Sequence, residues 1–105
     1  MTFDDLEIAL GAIAHLTSGE TFAVAGTFDA PGISANRITL DATTPASKAV
    51  LNITTVGDVK HCDATDIDGS GGSAVVTKNG TVSNCDNWTV EQIKTEGMVL
   101  AEMGF

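Results

Sequence analysis

Val59-Lys60-His61-Cys62-Asp63 returns 23 residues later as Val82-Ser83-Asn84-Cys85-Asp86, with Val, Cys and Asp at the same three places. A fixed period in the twenties is what a winding chain produces, because each turn brings the backbone back to the same position one layer on. Layers of a parallel β-helix lie about 4.8 Å apart, so the echo places Cys62 and Cys85 as neighbours in one ladder. That spacing falls inside the Cα separation of a disulfide, about 4.4–6.8 Å. The pair therefore reads either as a disulfide closed after release from the cell or as two small apolar groups stacked inward. Outward from the echo, residues 33–88 break into short alternating runs punctuated by Gly, Asn, Asp and Pro: Arg37–Ala42, Ala49–Thr54, Val59–Ile67, Ala74–Thr77 and Thr81–Asn84. Before them, Thr21–Phe28 alternates with Phe22, Val24 and Phe28 on one side, and Asp29-Ala30-Pro31-Gly32 reads as a turn. Asn79-Gly80 reads as a tight turn between strands.

The flanks read differently. Phe3, Leu6, Leu10 and Ile13 follow a 3-4-3 spacing, so residues 2–17 are expected to form an amphipathic helix capped by Thr2, with Asp4, Asp5 and Glu7 in its first turn. At the other end, Thr89 and Gln92 make a capping-box signal, and Val90, Ile93, Leu100 and Met103 define one face of a helical segment interrupted near Gly97. The expectation is a single mainly-β domain over 1–105. It comprises a capping helix at 2–17, a short right-handed parallel β-solenoid over 20–88, and a docking segment over 89–105. A β-sandwich accommodates most of the same alternation.

Composition narrows the function classes. The 105 residues include 14 Thr, 9 Val, 7 Ile and 11 Gly but only 2 Pro, a balance that favours strands. The net charge is −9, and the five cations, Arg37, Lys48, Lys60, Lys78 and Lys94, are scattered. A nucleic-acid surface needs clustered cations, so that partner is not expected. No apolar run approaches the roughly 18 residues of a membrane helix. The acidic start is unlike a secretory leader, and two Cys do not make a disulfide framework, so synthesis in a host cytoplasm is expected.

The segment from about 26 to 88 resembles right-handed β-helix, pectate-lyase-like structural proteins of phage and prophage virions. The matching pieces are Gly32-Ile33-Ser34-Ala35-Asn36-Arg37-Ile38-Thr39-Leu40, Ala49-Val50-Leu51-Asn52-Ile53 and Val59 through Gly72. Asn84-Cys85-Asp86-Asn87-Trp88 closes the resemblance with an Asn-rich, Trp-terminated ending. These glycines and asparagines serve turn geometry, and the likeness carries no catalytic residues. It implies a late virion protein without enzymatic activity.

Chemistry-bearing residues were weighed individually. His61 beside Cys62 lacks the further ligands zinc requires. Asp63, Asp66 and Asp68 before Gly69 miss the calcium-loop spacing, so they read as acceptors for turn amides. The acidic residues do not converge as glycosidase carboxylates, and neither His15 nor His61 has a nucleophile placed for it. No metal, cofactor or catalytic residue is expected. A thin solenoid exposes unpaired edges and needs covering. Phe3, Leu6, Leu10, Ile13, Trp88, Ile93, Leu100, Met103 and Phe105 are therefore the expected contact residues. The expected role is a capsid decoration (cement) protein, oligomeric, on the major capsid protein or another virion protein. The alternative is a tail or fibre module that binds host glycans through Trp88 and turn Asn and Asp residues.

Overall fold

The computed structural model describes residues 1–93. These residues form eleven strands and no helix: β1 (Thr2–Phe3), β2 (Leu6–Glu7), β3 (Ile13–Leu16), β4 (Thr21–Pro31), β5 (Ile38–Ala42), β6 (Ala49–Lys60), β7 (Cys62–Thr65), β8 (Ile67–Asp68), β9 (Val75–Lys78), β10 (Thr81–Ser83) and β11 (Trp88–Glu91). Every strand pairing is parallel. One sheet runs β1-β4-β6-β9-β11, with β2 also on β4 and β8 also on β6; the other runs β10-β7-β5-β3. Consecutive strands alternate repeatedly between the two sheets, so each strand pairs with one well separated in sequence.

The registers reveal the repeat that matters. Asp63 lies opposite Thr81, Lys60 opposite Lys78 and Ala49 opposite Ile67, each 18 residues apart. The corners repeat with the same spacing. His61 (φ 46°) and Asn79 (φ 56°) are left-handed, as are Asp66 (φ 59°) and Asn84 (φ 53°). Non-glycine residues rarely adopt that conformation, although Asn, Asp and His do so more readily than most. The 23-residue echo is therefore not the stacking period. It aligns the corner at His61 with a different corner at Asn84, each followed by Cys-Asp. Similar local chemistry at two unlike corners produces the likeness.

Alternation within strands sets the core. Ile38, Leu40 and Ala42 of β5, Cys62 and Ala64 of β7, and Ala49, Leu51 and Ile53 of β6 all face inward and are buried. Removing such side chains from water supplies about 1.5–3 kcal/mol each for the larger ones. Phe28 of β4 meets Trp88 of β11 edge to face, with ring centroids 6.2 Å apart. Two irregularities interrupt the β4–β6 pairing. At the first, Gly26 faces Asp5, whose Oδ1 accepts the Thr27 amide at 2.8 Å. At the second, Gly57 faces Asp29, whose Oδ1 accepts the Asp58 amide at 2.7 Å. In both places a carboxylate from an earlier strand satisfies the amide that the bulge frees from its ladder.

The expected capping helix over 2–17 is absent. The amide of Ala23 donates to Met1 O, that of Gly26 to Asp4 O and that of Ile8 to Asp29 O. Pairing with a distant strand thus engages backbone groups that a helix would bond locally, and Leu10 and Ile13 lie exposed. The expected turn at Asp29–Gly32 begins only at Gly32, because β4 continues through Pro31. At the other end, Trp88–Glu91 is a strand against Val75–Lys78, in place of the expected helical segment. The remainder of that segment, with Leu100, Met103 and Phe105, lies outside the described residues. Asn79-Gly80 does turn the chain, but between β9 and β10 of different sheets, so it closes no hairpin.

The loop between β8 and β9 presses Gly72 onto the backbone of Ile53, and the Ser73 amide donates to Ile53 O at 2.7 Å. A Cβ at position 72 would collide with that backbone. Gly72→Ala is expected to lower stability by about 2 kcal/mol, seen as a reduced midpoint in urea without loss of the β-type circular dichroism spectrum.

Candidate functional site

The densest polar cluster spans three neighbouring strands. Arg37 precedes β5 and reaches Asp63 of β7 through Nε at 2.9 Å and Nη2 at 2.6 Å, and Nη2 also donates to Asn79 O at 3.0 Å. Thr81 of β10 donates its hydroxyl to Asp63 Oδ1 at 3.0 Å. The Arg37 guanidinium, by its hydrogen bonds, holds the Asp63 carboxyl below the ordinary carboxylate range. A bidentate arginine–carboxylate pair of this kind fixes orientation as well as charge. Each donor is committed within the chain, so the cluster staples neighbouring strands.

The other acidic residues are engaged in the same manner. Asp66 accepts the Ala46 amide at 2.9 Å and Asn84 Nδ2 at 2.7 Å. Its pKa is lowered, first by Asn84. Asp68 accepts the amide and hydroxyl of Ser70, which lower its pKa. Asp63, by contrast, holds side chains, which the turn reading did not anticipate. His15 of β3 pairs with Asp41 of β5 on the outer face, and Lys48 with Asp86 at 2.8 Å. Among the described residues no group of three His, Cys, Asp or Glu side chains is placed to hold a metal.

Cys62 and Cys85 are both free, and the proposed ladder does not bring them together. The 18-residue register puts Gly80 beside Cys62, whose carbonyl accepts the Thr77 hydroxyl at 2.9 Å. Cys85 lies beside Ile67, whose amide donates to its Sγ at 3.4 Å. Burial pushes the Cys62 thiol up to about 12, and also raises that of Cys85, which is less deeply enclosed.

The expected contact residues divide. Trp88 is 4 % exposed and faces the core. Phe3 and Leu6 are half-buried against it. Leu10 and Ile13 are 48 % and 66 % exposed. Ile93 donates its amide to Asn79 Oδ1 at 2.8 Å. Phe3, Leu6, Leu10 and Ile13 thus share one end of the two sheets, where β1, β2 and β3 each have a strand neighbour on one side only among the described residues. A feature missed in the sequence is a cleft of about 490 Å³ between β4, β6 and the loop before β9. Asn52 lines it, with a buried Oδ1 that has no hydrogen-bond partner. Its signal was faint, because an Asn within an alternating strand resembles any outward polar residue.

Compared with protein-family models, curated proteins and solved structures, the chain matches none.

Two outcomes test this description. Unfolded aspartates titrate near 3.9, and those held lower in the fold contribute stability above that pH and lose it as pH falls through their native values. The urea midpoint should be flat above about pH 5 and fall below about pH 4. Asp63→Asn should cost about 1 kcal/mol at neutral pH and shallow the acid slope. For the thiols, iodoacetamide should modify Cys85 before Cys62 in the native protein, and both at similar rates in denaturant.

Proposed function

We propose that the chain is a structural accessory protein of a phage virion. In this reading it winds as a short right-handed parallel β-helix and acts as a capsid decoration protein, stabilising the head by burying surface against the major capsid protein. The winding is supported by exclusively parallel pairing, by strands that alternate between two sheets, and by left-handed corners repeating every 18 residues over His61–Asn84. The setting is supported by the resemblance of residues 26–88 to virion β-helix proteins.

One observation carries the surface-burial role: the burial of the inward rows fades at their ends. Along Ala14, Leu40, Ala64 and Val82, the middle two are 1 % and 0 % exposed, whereas Ala14 and Val82 are only partly covered. A parallel stack with an uncovered end retains apolar contacts to make, and this one also carries unpaired strand edges there. The polar clusters favour the same role, since Arg37, Asp63, Asp66 and Asp68 are all occupied in holding the chain together. The glycan reading loses its anchor, because Trp88 packs on Phe28.

The experiment is co-sedimentation with particles of the phage that encodes the chain. Purified protein is expected to travel with tailless heads and to raise their resistance to heat. Association with purified tails alone would replace this reading with the fibre reading. Binding to neither would end both.

A further inference from the structure

We propose that the open edge of β3, together with the flanking Met1–Leu10 segment, docks by strand pairing onto an extended Lys- and Arg-rich segment of the partner protein. This rests on the surface-burial reading above and specifies where the contact lies and what chemistry meets it.

The backbone supplies the template. Ala12 O accepts the Thr39 amide and Leu16 O accepts the Thr43 amide. In a parallel ladder, residues of one parity bond to one neighbour, so Ala12, Ala14 and Leu16 serve β5. Ile13 and His15 direct their N–H and C=O groups to the opposite side, where the described residues place no strand. An edge of this kind accepts a further strand.

Side chains supply the reason to cover it. Ile13 is 66 % exposed and Leu10 48 %, while Phe3 is half-buried although Val24 and Ile53 in the same row are each 1 % exposed. Charge then selects the occupant. Asp4, Asp5, Glu7 and Glu20 are exposed around this end, and no Lys or Arg precedes Arg37. A second copy meeting here end to end would oppose acid to acid, whereas a basic strand is attracted and oriented. At the far end Lys78, Asp86 and Glu91 mix both signs, and no single partner charge is favoured.

The test is amide hydrogen exchange on the free chain and on the chain bound to tailless heads, joined to binding curves for variants. Ile13 and His15 amides are expected to exchange fast in the free protein and to become protected on heads. The apparent Kd should rise about tenfold or more between about 50 and 500 mM NaCl. Leu10→Lys/Ile13→Lys should bind about tenfold more weakly with an unchanged thermal midpoint, and Asp4→Asn/Glu7→Gln should flatten the salt dependence. Protection confined to another face, or variant binding equal to wild type, would overturn the docking edge while leaving head binding intact. A concentration-dependent dimer that protects the same two amides would overturn it in favour of a second copy. Binding to neither heads nor tails would remove the surface-burial reading and this inference with it.

Discussion

Parallel strands cannot be joined by tight hairpins, so everything in this chain depends on how its corners turn the backbone from one sheet to the other. His61, Asp66, Asn79 and Asn84 do this in the left-handed region. Their bonds hold the turn in register: the His61 amide donates to Lys78 O, and the Asp66 amide to Ser83 O. Asp66 also receives Asn84 and the Ala46 amide on its carboxylate. With these corners in place, Cys62 and Ala64 must face inward, and Asp63 must meet Arg37 on the outside.

The same economy of means appears at the two bulges. Asp5 with Gly26 and Asp29 with Gly57 solve one problem twice: an extra residue in a long strand leaves an amide without its ladder partner. The carboxylate takes that amide, and glycine leaves room for it. Acidity here is therefore partly structural. A good share of the aspartates are hydrogen-bond acceptors for corners and bulges, and the exposed remainder gathers around the end where β1, β2 and β3 lack a second neighbour. That division between used and unused acid, more than the net charge, is what gives the proposed contact its polarity.

Both the proposed function and the docking edge follow from incomplete burial. The middle of each inward row is sealed, whereas Phe3, Leu6 and Ala14 at one end are only partly covered. Nothing comparable distinguishes the polar clusters, whose donors and acceptors face one another. The cleft beside Asn52 is the exception, a polar atom enclosed without a protein partner.

The strand content, the inward-facing residues of β5 to β7 and the turn role of Asp66 and Asp68 were legible in the linear order of residues, because period-2 alternation and Asx corner chemistry are local signals. Three things were not. Residues 2–17 have apolar spacing that suits a helix, and only pairing of Met1–Ile8 with β4 gives their backbone another set of partners. The Val-x-x-Cys-Asp echo is a true similarity of corners, yet the stacking distance is decided by which strands hydrogen-bond, and that sets it at 18. Trp88 reads equally as platform or plug until Phe28, sixty residues earlier, is brought against it. Local pattern thus determined which residues turn and which hide; long-range pairing alone decided which strands meet, because the hydrogen bonds of a parallel sheet join residues that the chain itself keeps far apart.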